Sequence, residues 1–230
     1  MAFSVAIVGP DGSGKTSVAK RLMAAYPAPM KYVYMGAALQ SANVTLPTSR
    51  LLLRLKRKSY DKAVREGRHV ETGGSSLHNV EFTKVQTSRI ARDLALANLI
   101  AEEWYRQTVS WIYRLRGHVV VFDRHVVFEY VPDSTTYHVQ RYRFGIRVHL
   151  WLVRRCFPRP DLTVFLDAPA EVMYERKREW SVEHLRRHRA ALIEQGEKTS
   201  NFVRVDATRD VDRVVQDVLS RVLEFQKGAA

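Results

Sequence analysis

Residues 9–16 read GPDGSGKT. Glycines let backbone N–H groups turn inward around an anion. A lysine closing such a loop reaches terminal phosphate oxygens, and the hydroxyl after it can ligate a divalent ion. The set Gly9, Pro10, Asp11, Gly12, Ser13, Gly14, Lys15, Thr16 and Ser17 is therefore the candidate nucleotide-contacting loop, with Thr16 the candidate metal ligand. Its spacing fits G-x-x-x-x-G-K-[ST]. The context supports the match, since the apolar run FSVAIV precedes it and a helical pattern from Lys15 to Ala25 follows. A phosphate chain is implied, but no reaction, because switches, motors, nucleic-acid ATPases and kinases share such a loop.

Two further stretches carry chemistry. The run VVVF ends in Asp123 and Arg124, which puts a carboxylate and a guanidinium at the carboxyl edge of a sheet, where ligands of open α/β folds bind. The carboxylate could hold magnesium or orient an acceptor and the guanidinium could clamp an oxyanion; an ion pair closing the strand is the plainer reading. Residues 170–189, AEVMYERKREWSVEHLRRHR, start acidic and continue dense in arginine. Arg176 and Arg178 are candidate lid arginines folding over a transferring phosphate, and a solvated basic helix explains the same composition. His184 and His188 lie one turn apart, but the flanking Arg186, Arg187 and Arg189 would repel a cation, so no metal is expected there.

These groups need a scaffold. Short apolar, β-branched runs recur at 3–8, 31–35, 118–122, 162–166 and 201–205, separated by helical patterns. They read as buried parallel strands in a doubly wound α/β sheet. No glycine or proline falls between Gly74 and Gly117, where Ile90, Leu94, Ala97, Ala101, Trp104, Trp111 and Leu115 predict one long helix with a core-facing stripe. Val211, Val214, Val215, Val218, Leu219 and Val222 predict a closing amphipathic helix. The basic stretch 49–66 reads as helix, either plainly solvated or part of an acceptor-side flap at about 37–84.

The 230 residues, 46% hydrophobic, suit a single domain spanning 1–230. A net charge of +13 favours an anionic partner or simply a basic surface. Cys156, the one cysteine, cannot form an internal disulfide, and the N-terminal sequence lacks a signal-peptide pattern, so the chain reads as cytoplasmic. No apolar run approaches a membrane span.

Taken together, GPDGSGKT, VVVFDR, PRPDLTVFLDAPAEVMYERKRE and VRVDAT resemble the thymidylate kinase family of P-loop nucleoside monophosphate kinases. The resemblance implies an α/β P-loop NTPase fold of about five parallel strands, with helices on both faces and a short arginine-bearing lid at about 171–189. It implies ATP and Mg²⁺ as cofactors and a small phosphate acceptor as partner. It also implies roles: Lys15 and Thr16 on the donor phosphates and magnesium, Asp11 facing the acceptor, and Asp123 with Arg124 between acceptor and metal. Arg176 and Arg178 would lie in the lid, with Asp206, Ala207 and Thr208 bordering adenine. A homodimer is compatible with this reading, and nucleic acid is a less favoured partner. The chain departs from the family at His125, where a tyrosine is usual, at YMGAAL, which replaces an Arg-Glu-Pro segment, and at AEEW, where an acceptor arginine is expected. Glu102 or Glu103 falls there, with Arg106 a turn away. The reading is a kinase of a nucleoside monophosphate or related small acceptor. A kinase of a hydroxyl group and a nucleic-acid-binding ATPase are the alternatives.

Overall fold

A computed structural model describes residues 2–36, 38, 41–51, 54, 89–130 and 144–228. The five apolar runs form the strands β1 (Ser4–Val8), β2 (Met30–Tyr34), β3 (Val119–Asp123), β4 (Leu162–Asp167) and β5 (Phe202–Asp206). They pair in the order β2-β3-β1-β4-β5, every pair parallel. All carboxyl ends therefore lie along one edge, and β1 and β3 are neighbours in register Ile7 to Asp123. That adjacency brings the loop after β1 against the residues after β3.

Continuous burial of β1, β3 and most of β4 follows from helices covering both faces. On one face α1 (Lys15–Ala25) and the C-terminal α7 (Val211–Gly228) pack Val18, Leu22, Val214, Val218 and Val222 against Val5, Ile7, Val121 and Val164. The other face is covered by α2 (Arg89–Leu115), the short α3 (Val126–Glu129), α4 (Phe144–Arg155) and α6 (Val182–Glu197), whose Val126, Phe128, Val153 and Leu192 meet Ala6, Val8, Phe122 and Phe165. Between β4 and α6 stands α5 (Ala170–Arg176). This is the doubly wound α/β sheet the sequence predicts, and α7 buries the predicted valine stripe. The flap expected at about 37–84 lies mostly outside the described residues; within them, 47–51 is helical.

The long helix forms as expected but turns the other way. Its predicted core stripe faces outward, with Leu94 at 65%, Trp111 at 38% and Leu115 at 87% exposure. Among the described residues of the stripe Trp104 alone is half-buried, edge-on to Phe157 at 5.3 Å. The face turned inward is polar: Glu102, Glu103, Arg106, Gln107 and Ser110 are all buried. The cause is local neutralisation. Arg106 donates to Glu102 Oε1 (3.1 Å) and to the carbonyls of Gly36 (2.8 Å) and Val44 (3.2 Å), while Glu102 Oε2 accepts from Leu46 N–H (3.0 Å). A buried ion pair that also draws hydrogen bonds from backbone is tolerable inside a fold; among the described residues Arg106 Nη2 has only its 3.1 Å approach to Glu102 Oε1. Here the pair staples the segment after β2 to α2.

Glu103 is neutralised differently. Tyr130 Oη donates to Glu103 Oε1 (2.5 Å), and His149 Nε2 on α4 faces Oε2 across 3.5 Å. Burial pushes the Glu103 carboxyl up to about 8, against the Tyr130 hydrogen bond and the Arg106 charge, and burial holds His149 down to about 4. Both are then neutral at pH 7. His149, neutral in the fold, makes stability rise between about pH 4 and 6.5, whereas Glu103 keeps a proton that the unfolded chain releases near 4.5, so its own contribution to stability falls as pH rises from about 4.5 to 8. The slope is about 1.4 kcal/mol per pH unit. Glu103→Gln, neutral throughout, is expected to flatten that dependence and to raise the melting temperature at pH 8 more than at pH 5. Thermal melts of the two proteins at both pH values check this, and parallel curves would contradict it.

Candidate active site

The loop after β1 is shaped by backbone conformations that side chains resist. Gly12 sits at φ +87°, and a Cβ there would run into the Met173 carbonyl in the middle of α5. Lys15 opens α1 and is buried, its ammonium donating to Pro10 O at 2.6 Å and lying 3.8 Å from Asp11 Oδ1. Burial, helped by the nearby Arg124 charge, lowers its amine to about 8, with Asp11 and Asp123 opposing. A cation held in so little solvent is matched to a ligand carrying several negative charges.

Asp123, fully buried, is the hub on the sheet side. Its Oδ2 accepts from Thr16 Oγ1 (2.6 Å) and from Tyr32 Oη (2.7 Å), while Oδ1 is buried with no partner among the described residues. Hard oxygen donors with one carboxylate oxygen to spare fit magnesium, which binds through one or two carboxylates and otherwise keeps water and substrate phosphates. Thr16 and Asp123 are thus brought together as the sequence predicts. Among the described residues there is no group of three or more His, Cys, Asp or Glu that could hold a metal ion.

Arg124 follows at φ 68°, in the left-handed region. The turn aims its guanidinium between two carboxylates, Asp11 Oδ1 at 2.5 Å and Glu129 Oε1 at 3.2 Å. Burial would raise the Asp11 carboxyl, but Lys15 and Arg124 overcome this and hold it well below the usual range. Gly36 closes the arrangement, since a Cβ there would lie 2.5 Å from both Arg124 Cδ and the Tyr34 hydroxyl. The YMG stretch therefore leaves room for Arg124. His125, beside it, is buried between Phe122 and Phe157 and caps α3 by accepting from Val127 N–H (3.4 Å). Burial keeps it neutral, down to about 3. It is a packing and capping residue.

An open pocket of about 350 Å³ lies where β4 and β5 end, lined by Asp167, Pro169, Arg189, Asp206 and Thr208 among others. Asp206 Oδ1 accepts from Thr208 N–H (2.9 Å) and its hydroxyl (2.6 Å), fixing the turn expected to border adenine. Arg176 donates to Ala207 O (2.8 Å) and Thr208 O (3.2 Å), on the segment that borders this pocket, and Arg178 is exposed. Of the predicted site residues, the structure gathers Asp11, Lys15, Thr16, Asp123 and Arg124 into one cluster and leaves the two arginines outside it. Tyr32, Glu129 and Trp180, whose indole N–H donates to Asp11 Oδ2 at 3.2 Å, join the cluster without having been anticipated. The polar rings of KYVYM were the available signal for Tyr32, and the position of Glu129 five residues after Arg124 was the signal for that carboxylate.

A parallel sheet of this order, a glycine loop running into α1 and an aspartate ending the neighbouring strand define an α/β P-loop NTPase fold. Residues 4–123, more than half of the chain, match the family described as the AAA domain (dynein-related subfamily), and the chain belongs to that family. Among solved structures it is similar to deoxyadenosine kinase from M.mycoides, in a structure with the products dCMP and a flexible dCDP bound. The TM-score is 0.56 and the identity 11%, covering 96% of this chain and 99% of that one, a likeness of fold. A search of curated proteins finds no match to the chain. No helix among the described residues is long and apolar enough to cross a membrane.

Proposed function

We propose that the chain is an ATP-dependent, magnesium-requiring phosphotransferase that moves the γ-phosphoryl group of ATP to a small acceptor. The observation that carries this is Arg124, which joins the loop carboxylate Asp11 to Glu129 beside Asp123 and so builds a polar place for a second reactant next to the donor phosphates. Lys15 and the loop N–H groups hold the phosphate chain, and the turn at Asp206–Thr208 borders the base. Thr16 and Asp123 hold magnesium, which when bound neutralises charge on the phosphate oxygens. Arg124 orients the reacting groups, and the β5 pocket keeps the adenosine away from them.

The likeness to thymidylate kinases makes a nucleoside monophosphate the first acceptor to consider. A specific observation favours the second reading, a hydroxyl acceptor. Among the described residues the two arginines on this side, Arg106 buried and Arg124 half-buried, are already neutralised, Arg124 by Asp11 and Glu129 and Arg106 by Glu102. A phosphate dianion would meet the carboxylates, whereas a hydroxyl needs one to take its proton. The structural neighbour is named for a nucleoside substrate, so nucleosides come first among hydroxyl acceptors. The expected result is that kcat/KM for thymidine monophosphate falls at least about 100-fold below the usual lower bound of ~10⁴ M⁻¹s⁻¹, with a nucleoside or another hydroxyl compound used better. A thymidine monophosphate value within the usual range would favour the monophosphate reading.

A further inference from the structure

Residues 170–189 are expected from the sequence to bring Arg176 and Arg178 to the transferring phosphate; Arg178 is exposed, and Arg176, Arg186 and Arg189 hold other partners. Arg176 holds the carbonyls of Ala207 and Thr208. Arg186 pairs with Glu171 (2.7 Å) and Glu183 (3.0 Å), and Arg189 with both oxygens of Asp167 (2.6 and 3.0 Å). Along α6 and the turn before it, Trp180, His184 and His188 follow one another four apart, starting from the contact of Trp180 with the glycine loop. The rings of Trp180 and His184 stack at 4.6 Å and 24°, and those of His184 and His188 at 6.0 Å and 23°. Trp180 anchors the stack to the loop through Asp11. At its far end His188 lies within electrostatic reach of Lys15, Asp11 and Arg124, the charged groups around the donor phosphates.

We infer that His188 is a phosphate ligand of the bound nucleotide, its imidazolium donating to a phosphate oxygen opposite Lys15, with Trp180 and His184 holding the ring in place. The inference rests on the donor-site reading above and adds a contact that neither the loop motif nor the arginine-rich composition of the segment indicates. Without nucleotide, burial and then Lys15 lower the imidazole to about 4, His184 and Arg124 act in the same direction and Asp11 opposes them, so the ring is neutral. A triphosphate entering beside Lys15 reverses the dominant sign. An opposite charge within about 4–6 Å raises a pKa by roughly 1–3 units. His188 then gains a proton as the nucleotide binds near pH 6, and this donor appears only when there is a phosphate to receive it.

Calorimetric titration of the whole chain with the magnesium complex of β,γ-imido-ATP, at pH 6 in buffers of different ionisation enthalpy, counts the protons exchanged on binding. The wild type is expected to take up more protons than His188→Gln, by a sizeable fraction of one. The same substitution is expected to weaken the analogue about tenfold or more while leaving adenosine affinity and the melting temperature little changed. His184→Ala, which only loosens the stack, is expected to weaken binding less and to retain part of the uptake. Equal proton counts in wild type and His188→Gln, with the analogue still bound by both, would overturn the inference and leave the donor site standing. A wild type that binds no analogue would remove the donor-site reading and this inference with it.

Discussion

Lys15→Ala is expected to lower phosphoryl transfer by about 10³-fold or more while the protein stays folded. In this chemistry positioning and charge neutralisation supply nearly all of the acceleration, and Lys15 is the cation built into the loop. Its burial also makes a prediction about stability. The amine lies at about 8 in the folded chain against 10.5 in the unfolded one, so the unfolded chain holds the extra proton between those values. The wild type should therefore gain stability as pH rises from about 8 to 10.5, by about 1.4 kcal/mol per unit. Below 8 the full cost of burying the charge is present. Lys15→Ala removes that rise, so urea melts at pH 7 and 10 should show a smaller difference in the variant. Unchanged turnover in a folded variant would remove Lys15 from the site.

Asp123→Asn is expected to reduce kcat at saturating ATP by roughly 10²- to 10³-fold, the scale seen when one preorganised group at a charged transition state is lost. The amide oxygen can still accept from Thr16 and Tyr32, so the hub keeps its shape. The amide nitrogen then occupies the position of the carboxylate oxygen that has no protein partner, and it cannot ligand a cation. ATP affinity measured without magnesium should change little, and the magnesium dependence of turnover should weaken. A loss confined to ATP affinity, with kcat intact, would instead make Asp123 a nucleotide ligand.

What could be read from the sequence follows from how local each signal is. The β-branched runs announced all five strands because a strand buried on both faces must be apolar throughout. The glycine loop announced Lys15 and Thr16 because phosphate binding requires that spacing. Asp123 was legible from its place at the end of a strand, and its contact with Thr16 follows once β1 and β3 are neighbours. Helix α2 shows where this stops. Its apolar spacing identifies an amphipathic helix but does not say which face meets the protein. Glu102 and Arg106 could be buried only because Gly36, Val44 and Leu46 supply backbone partners from another segment, and no periodicity records that. The contacts of Arg176 were illegible for a similar reason, since the carbonyls that hold it lie some thirty positions along the chain. The Trp180 stack became visible only when folding brought it to Asp11.

Phosphate is proposed to leave ATP for an acceptor bound beside Arg124. Incubating the protein with γ-labelled ATP and magnesium, together with pools of nucleosides, nucleoside monophosphates, sugars and oligonucleotides, is the decisive experiment. Label is expected in one class of small acceptor, lost in Lys15→Ala and strongly reduced in Asp123→Asn. Label appearing only as inorganic phosphate, at a rate no acceptor pool changes, would make the protein an ATPase and overturn the phosphotransferase reading.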